Sequence, residues 1–269
     1  MRILIRTSKW AIWSRRFGSL AIPVLVLPVY LHREQIISSD DFHRIEAVAL
    51  ALALMGLMLG FGAFIRIWQS GDRGWGKATL GVLSSLLCLA PLGVAAYAAQ
   101  VFPPVNEVST DWIDPPALIV AQPGPPPDAA LYEKVAAAFP NARTRSYLVD
   151  GQVLFELARA EVADQGWTIK AEQRPDGPDG TGTINALAVT LLGWRDEVAI
   201  RVSGDTEGAS IAMRSASLSG PHDLGANGLR IEGFMLRLDK AVTARARANP
   251  VIDPDETAPV AVDEEATDG

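Results

Sequence analysis

Two arginines, two serines and a short acid, amide and base series are the residues of this chain whose types and spacing invite chemistry. Arg201 and Arg214 fall in two alternating runs, Glu197–Ser203 and Ala209–Ser217, joined by the turn Asp205–Gly208. Pairing Val198, Ile200 and Val202 with Ile211 and Met213 requires Gly204 opposite Ala209. That register gathers Glu197, Arg201 and Arg214 on the other face among small residues, with the two arginines diagonal neighbours. Guanidinium forks match carboxylate and phosphate geometry, so the pair is a candidate site for an anion or a lipid headgroup. The competing reading is a solvated face with Glu197 as ion partner, because outer faces of antiparallel sheets are normally polar. Ser215 and Ser217 end the second run and join the candidate ligand-binding set. Asp223, Asn227 and Arg230 follow at helical spacing, one turn apart, and can face a common spot. That spot lies near a helix N-terminus, where backbone N–H groups favour anions.

Catalytic patterns are sparse. The chain holds no GxGxxG, Walker-type phosphate loop, HExxH or GxSxG. Ser215 or Ser217, His222 and Asp223 supply the residue types of a hydrolytic triad, yet neighbours in sequence diverge in direction and fit the base–orienter arrangement poorly. Asp111, Asp114, Asp196 and Glu197 could pair as carboxylates, or serve as caps, turns and ion partners. Trp112, Trp167 and Trp194 read as packing rather than a stacking platform. The single cysteine, Cys88, excludes an intramolecular disulfide framework and a cysteine-based zinc cluster. Three scattered histidines, His32, His43 and His222, argue against a histidine-rich metal site. No cofactor and no metal is expected.

The elements that must position these residues begin in a bilayer. The mean hydropathy is +0.17, and the apolar residues concentrate in the first 101 positions. The run Phe17–Leu31 has 15 uncharged residues. At 1.5 Å per residue it covers about 22 Å, short of the roughly 30 Å hydrocarbon core. Trp10, Trp13 and snorkelling arginines extend it to a span of about 13–31, kinked by Pro23 and Pro28. It could instead be a signal-peptide core, but no small-x-small cleavage site follows, and the twin-arginine consensus is lacking. Ala47–Ile65 and Ala78–Val101, with 19 and 24 uncharged residues, are long enough to span. No charge lies inside the three cores, so the spans read as an anchor rather than an ion route. Gly56 and Gly60 form a small-xxx-small pair suited to packing among the three spans. Basic residues cluster before the first span and between the second and third. The positive-inside rule then puts the N-terminus and the second loop inside and the first loop and the C-terminal domain outside.

Residues 102–248 carry a net charge of −5, which does not suggest nucleic-acid binding. Their composition allows one domain with a real core. Residues 103–116 read as an extended segment rich in turn formers. Ala129–Phe139 reads as a helix capped by Asp128, and Gly151–Asp164 as a second helix. The period then becomes two over Trp167–Gln173, Thr183–Leu192, Glu197–Ser203 and Ala209–Ser217, an antiparallel meander. Leu224–Arg247 is a final helix capped by Asp223. The expected class is α+β: a three-helix transmembrane region over residues 1–101, then a two-layer domain of helices on one face of an antiparallel sheet. Residues 249–269 carry seven acidic and no basic residues and read as a disordered acidic tail.

Several blocks resemble a known family. Pro104-Val105-Asn106-Glu107-Val108-Ser109-Thr110-Asp111, Asp196–Val202, Arg214-Ser215-Ala216-Ser217, Asp223-Leu224-Gly225-Ala226-Asn227 and Arg230-Ile231 resemble the family catalogued as domain of unknown function 1499. The resemblance covers roughly residues 103–240, and its last block is the most specific. It implies a bacterial protein, commonly with N-terminal membrane helices, and no established activity. This chain departs from the pattern at Leu218, where a base often follows the second serine, and at Pro221-His222, where Arg-Ser is frequent.

Three functions follow as expectations. The first is an inner-membrane protein whose periplasmic domain binds a partner or an anionic envelope component without catalysis, through Arg201, Arg214, Ser215, Ser217, Asp223, Asn227 and Arg230. The second is an envelope hydrolase using carboxylates. The third is an accessory subunit of a membrane complex. The partners expected are the lipid bilayer and an anionic envelope ligand or membrane-protein partner.

Overall fold

The computed structural model describes residues 6–248 except Pro123 and Pro126. The acidic tail expected over 249–269 lies outside the described residues. Three helices come first: α1 (Lys9–Arg33), α2 (Ser39–Ser70) and α3 (Trp75–Val101). All three are long and apolar enough to cross a membrane. Each extends beyond its uncharged core because polar residues start or finish it. The Ser38 hydroxyl accepts from the Asp41 N–H, and Asp40 and Asp41 complement the positive end of α2. Helix α1 runs on through Pro23 and Pro28.

Small residues let the three helices meet. A Cβ on Gly81 would sit 2.2 Å from the Ser14 hydroxyl oxygen, and one on Gly18 would sit 2.5 Å from the Gly81 carbonyl oxygen. Gly56 and Gly60 face Ser85, Gly18, Val82 and Ser14, so the small pair packs within the bundle. Ser14 donates to the Gly56 carbonyl at 2.8 Å. At one end of the bundle the segment before α1 pairs with the α2–α3 loop, where Ser8 N–H meets the Arg73 carbonyl at 2.9 Å. Trp10, Trp13, Trp68 and Trp75 lie toward this end, all exposed.

The remaining elements form an α+β domain. They are β1 (Glu107–Ser109), α4 (Ala129–Ala138), β2 (Arg145–Tyr147), α5 (Gly151–Asp164), β3 (Thr168–Gln173), β4 (Thr181–Val189), β5 (Arg195–Asp205), β6 (Gly208–Ser217) and α6 (Ala226–Ala248). Every pairing is antiparallel, in the order β1-β6-β5-β4-β3, with β2 also on the free edge of β6. The expected register holds: Gly204 opposes Ala209, Val202 opposes Ile211 and Ile200 opposes Met213. Ile200, Val202, Ala209, Ile211 and Met213, with Ile184 and Ala186, build the core against Leu154, Phe155, Ile231, Phe234 and Leu238 of α5 and α6.

Two contacts fix the domain to the bundle. Phe102, which follows α3, stacks on Phe139 with ring centroids 5.6 Å apart. Gly225 lies against the same ring at φ 87°, and a Cβ there would meet it at 2.6 Å, so both conformation and space require glycine. On the other side, the β4–β5 turn meets the end of α1. His32 Nδ1 donates to the Leu192 carbonyl at 2.7 Å, and its ring stacks on Phe42 and meets the edge of Trp194. The bundle end that carries the domain is therefore opposite the end where Ser8 meets Arg73.

Candidate functional site

The seven residues singled out by spacing fall on two faces of the sheet. Arg201 and Arg214 lie on the face away from the helices, while Ser215 and Ser217 share the helix face with Ile211 and Met213. Asp223, Asn227 and Arg230 approach that second face from the start of α6.

The outer face is not solvated. Residues 111–121 cross it as an irregular strap, which small side chains at Ala199, Ala212 and Ala216 leave room for. Glu197, 1% exposed, anchors the strap. Its carboxylate accepts from the backbone N–H groups of Ile119, Val120 and Ala121 at 2.7, 2.8 and 2.6 Å, and from Asn185 Nδ2 at 3.0 Å. Asn185 also donates to the Ala117 carbonyl at 2.8 Å. Arg201 clamps the start of the strap, bonding Asp114 Oδ2 at 2.7 Å, the Asp114 carbonyl at 2.8 Å and Asp111 Oδ2 at 3.2 Å. Arg214 is buried against Glu107, meeting both carboxylate oxygens at 3.0 and 2.9 Å. Glu197 therefore holds backbone rather than an arginine, and both guanidinium groups are already neutralised by carboxylates. With Asp111 and Asp114 around Arg201, that corner carries one more negative charge than positive at neutral pH, which repels an incoming anion.

The inner cluster is a closed network. Ser215 donates to Asn227 Oδ1 at 2.7 Å and accepts from Arg230 at 2.9 Å. Arg230 also bonds Asn227 Oδ1 at 2.7 Å and pairs with Asp196. Asn227 Nδ2 donates to Ser217 Oγ at 3.0 Å and to the Asn106 carbonyl at 2.9 Å. Asp223 accepts from Gly225 N–H at 2.9 Å and Asn227 N–H at 2.8 Å, and so caps α6. The helix begins at Ala226, two residues after the expected Leu224, because Leu224 and Gly225 take φ of 54° and 87°. Ser215 gives its proton to an amide oxygen and receives one from a cation, an arrangement that stabilises a hydroxyl and does not activate a nucleophile. His222 Nδ1 accepts from the Leu224 N–H at 3.1 Å, which turns it to local backbone. No group of metal-binding side chains occurs among the described residues.

Titration follows these environments. Burial pushes the Asp223 carboxyl up, against the pull of the Gly225 and Asn227 hydrogen bonds. Near β2 a second network joins Arg145, Tyr147 and Asp239, with Tyr147 donating to Asp239 Oδ1 at 2.7 Å. Burial alone would raise the Asp239 carboxyl, but the Arg145 and Tyr147 hydrogen bonds and the Arg145 charge outweigh it and hold it below its ordinary value. Burial, then the bond to Asp239, raises the Tyr147 phenol. The depressed Asp239 contributes stability above its unfolded pKa of about 3.9 that is lost as pH falls through the folded value. Asp223, raised, contributes in the opposite sense: its stabilisation is complete below the unfolded pKa and is lost as pH rises through the folded value. Denaturant unfolding of wild type and Arg145→Ala from pH 7 to pH 2 should show a gap that is widest above pH 5 and narrows with acid.

Glu107, Asn106 and Asn185 complete these clusters and were not among the candidates, whereas Asp196, read as a carboxylate for pairing or ion partnership, is the ion partner of Arg230. Asp196 did carry a signal. It is in phase with Val198, Ile200 and Val202, so alternation puts a carboxylate on the core face, where it needs a cationic partner.

Residues 107–238 match the family described as "Protein of unknown function (DUF1499)". Through its globular domain the chain belongs to this family. The blocks that carry the resemblance are β1, β5, the end of β6 and the start of α6, the elements that hold both clusters. A comparison with curated proteins gives no match.

One cavity lies apart from both clusters, at the end of the sheet opposite the bundle. It measures about 510 Å³ and lies between the first turns of α5, the last turn of α6 and the residues after β3. Val153, Phe155, Leu157 and Pro175 supply apolar wall, and Arg174 and Arg245 supply positive charge. Arg174 is tied to Glu156 at 2.5 Å, whereas Arg245 has no carboxylate partner among the described residues. Gly182 keeps the wall tight: a Cβ there would meet Phe155 at 2.6 Å and Pro175 at 2.7 Å.

Proposed function

We propose that this is a three-span protein of a bacterial inner membrane whose domain stands on the periplasmic side and binds an anionic envelope component without catalysis. The observation that carries the reading is Arg245, a cation without a carboxylate partner among the described residues, at the rim of an apolar-walled cavity. The volume lies in the roughly 300–1,000 Å³ range of small-molecule sites, and a few polar groups on apolar walls are what such sites use for orientation. Arg174 and Arg245 would take the anionic group, and Phe155, Leu157 and Pro175 its apolar part. The family-resembling clusters then serve the binding domain as its frame: one straps the outer face, the other locks α6 to the sheet.

The orientation rests on charge. Arg6, Lys9, Arg66, Arg73 and Lys77 gather near the end of the bundle remote from the domain, as a cytoplasmic end requires. The hydrolase alternative loses support because Asp111, Asp196 and Glu197 are each consumed by a structural partner.

Native mass spectrometry of the full chain, extracted in mild detergent with nothing added, tests the binding reading. Wild type should retain a defined anionic molecule that the double variant Arg174→Gln, Arg245→Gln loses. Equal masses of adduct on both proteins, or a bare wild type, would overturn it.

A further inference from the structure

The β4–β5 turn breaks the usual chemistry of a hairpin tip. Such tips carry Gly, Asn, Asp and Ser, which face water. Here the turn reads Thr190-Leu191-Leu192-Gly193-Trp194, with Leu191 80% and Leu192 44% exposed. Val189 before it and Ile36 in the neighbouring α1–α2 loop are also exposed. Four adjacent hydrogen bonds fasten this tip to the end of α1 and the loop after it. His32 holds the Leu192 carbonyl, and Arg33 reaches the carbonyls of Thr190 and Leu191 at 3.4 and 3.5 Å. Gln35 Nε2 reaches the Gly193 carbonyl at 3.4 Å. Gly193 has φ 89°, and a Cβ there would meet the Arg33 backbone at 2.7 Å. The tip therefore has one fixed height relative to the helices, the level at which α1 ends and α2 begins.

We propose that this tip is a lipid-embedded wedge, with Leu191 and Leu192 in the interfacial layer of the bilayer that α1–α3 cross. The inference rests on the membrane-crossing reading of those helices and names a further surface that the membrane contacts. Continuity of the exposed leucines with the ends of two spans selects lipid as the occupant. Trp194 beside the tip is an interfacial residue type, and Arg33 and Arg195 flank it where cations can reach phosphates. The wedge would hold the domain at a set tilt on the membrane surface and leave the Arg245 cavity facing away from it.

The test uses the full chain with Cys88→Ala, in phosphatidylcholine vesicles, carrying one nitroxide at a time on Leu191→Cys, Leu192→Cys, Leu87→Cys or Leu148→Cys. Leu87 is exposed in mid-α3, and Leu148 is exposed at the far end of the domain. Collision rates with oxygen and with a water-soluble nickel chelate report depth. Labels at 191 and 192 should favour oxygen, as at 87, while the label at 148 favours nickel. Nickel-dominated collisions at 191 and 192 beside a lipid-type signal at 87 would overturn the wedge alone. A nickel-dominated signal at 87 as well would overturn the membrane-crossing reading on which it stands.

Discussion

Glu197→Ala is expected to release the strap from the outer face of the sheet and to cost about 3–5 kcal/mol of unfolding free energy. The carboxylate accepts three backbone N–H groups within 2.8 Å and one side-chain amide at 3.0 Å. Hydrogen bonds to a charged acceptor contribute about 1.5–3 kcal/mol each, and a buried donor left without its partner costs about 1–3 kcal/mol. These terms do not add, because a freed strap can reach water. Hydrogen exchange should lose protection at Ile119, Val120 and Ala121 first. Glu197→Gln should recover little, since its amide turns donor toward donor. Unchanged exchange at those three amides would mean that the strap is held by something else.

Asp196→Ala should lower global stability by a similar amount, about 3–5 kcal/mol, for a different reason. It leaves Arg230 charged, largely buried and without its carboxylate, and losing one partner of a buried pair is far worse than losing both. Asp196→Ala combined with Arg230→Met should therefore restore much of the loss. Denaturant unfolding of the two single variants and the double gives the coupling directly. If the double variant is as unstable as the sum of the singles, the pair is not the unit described above.

Much of the frame was legible in the residues. The β5–β6 register followed from one condition, that Val198, Ile200 and Val202 face the same core as Ile211 and Met213. Gly151–Asp164 has the helix bounds read from its stripe, because Asp150 before it and Gly166 after it are strong punctuation. What stayed hidden has physical causes. β1 and β2 have three residues each, too few to show a period, and they exist because β6 offers a free edge. The strap has no periodicity either; what reveals it is the row of small residues opposite Glu197 and Arg201, a surface shaped to be covered. Arg201 and Arg214 are diagonal neighbours as read, but their carboxylates arrive from Glu107, Asp111 and Asp114, some 90 to 110 positions earlier in the chain, beyond the reach of local spacing. Arg174 and Arg245 line one cavity because the residues after β3 and the last turn of α6 both lie beside the first turns of α5.

The wedge needs only that the helices cross, whereas the side of the membrane on which the domain stands is the premise of the envelope ligand. Fusing alkaline phosphatase, which is active only in the periplasm, after Gly269 tests it most directly, with a reporter active only in the cytosol fused at the same point. A bright phosphatase fusion and a silent cytosolic one are the predicted result. The reverse pattern would put the domain in the cytosol and contradict an envelope ligand.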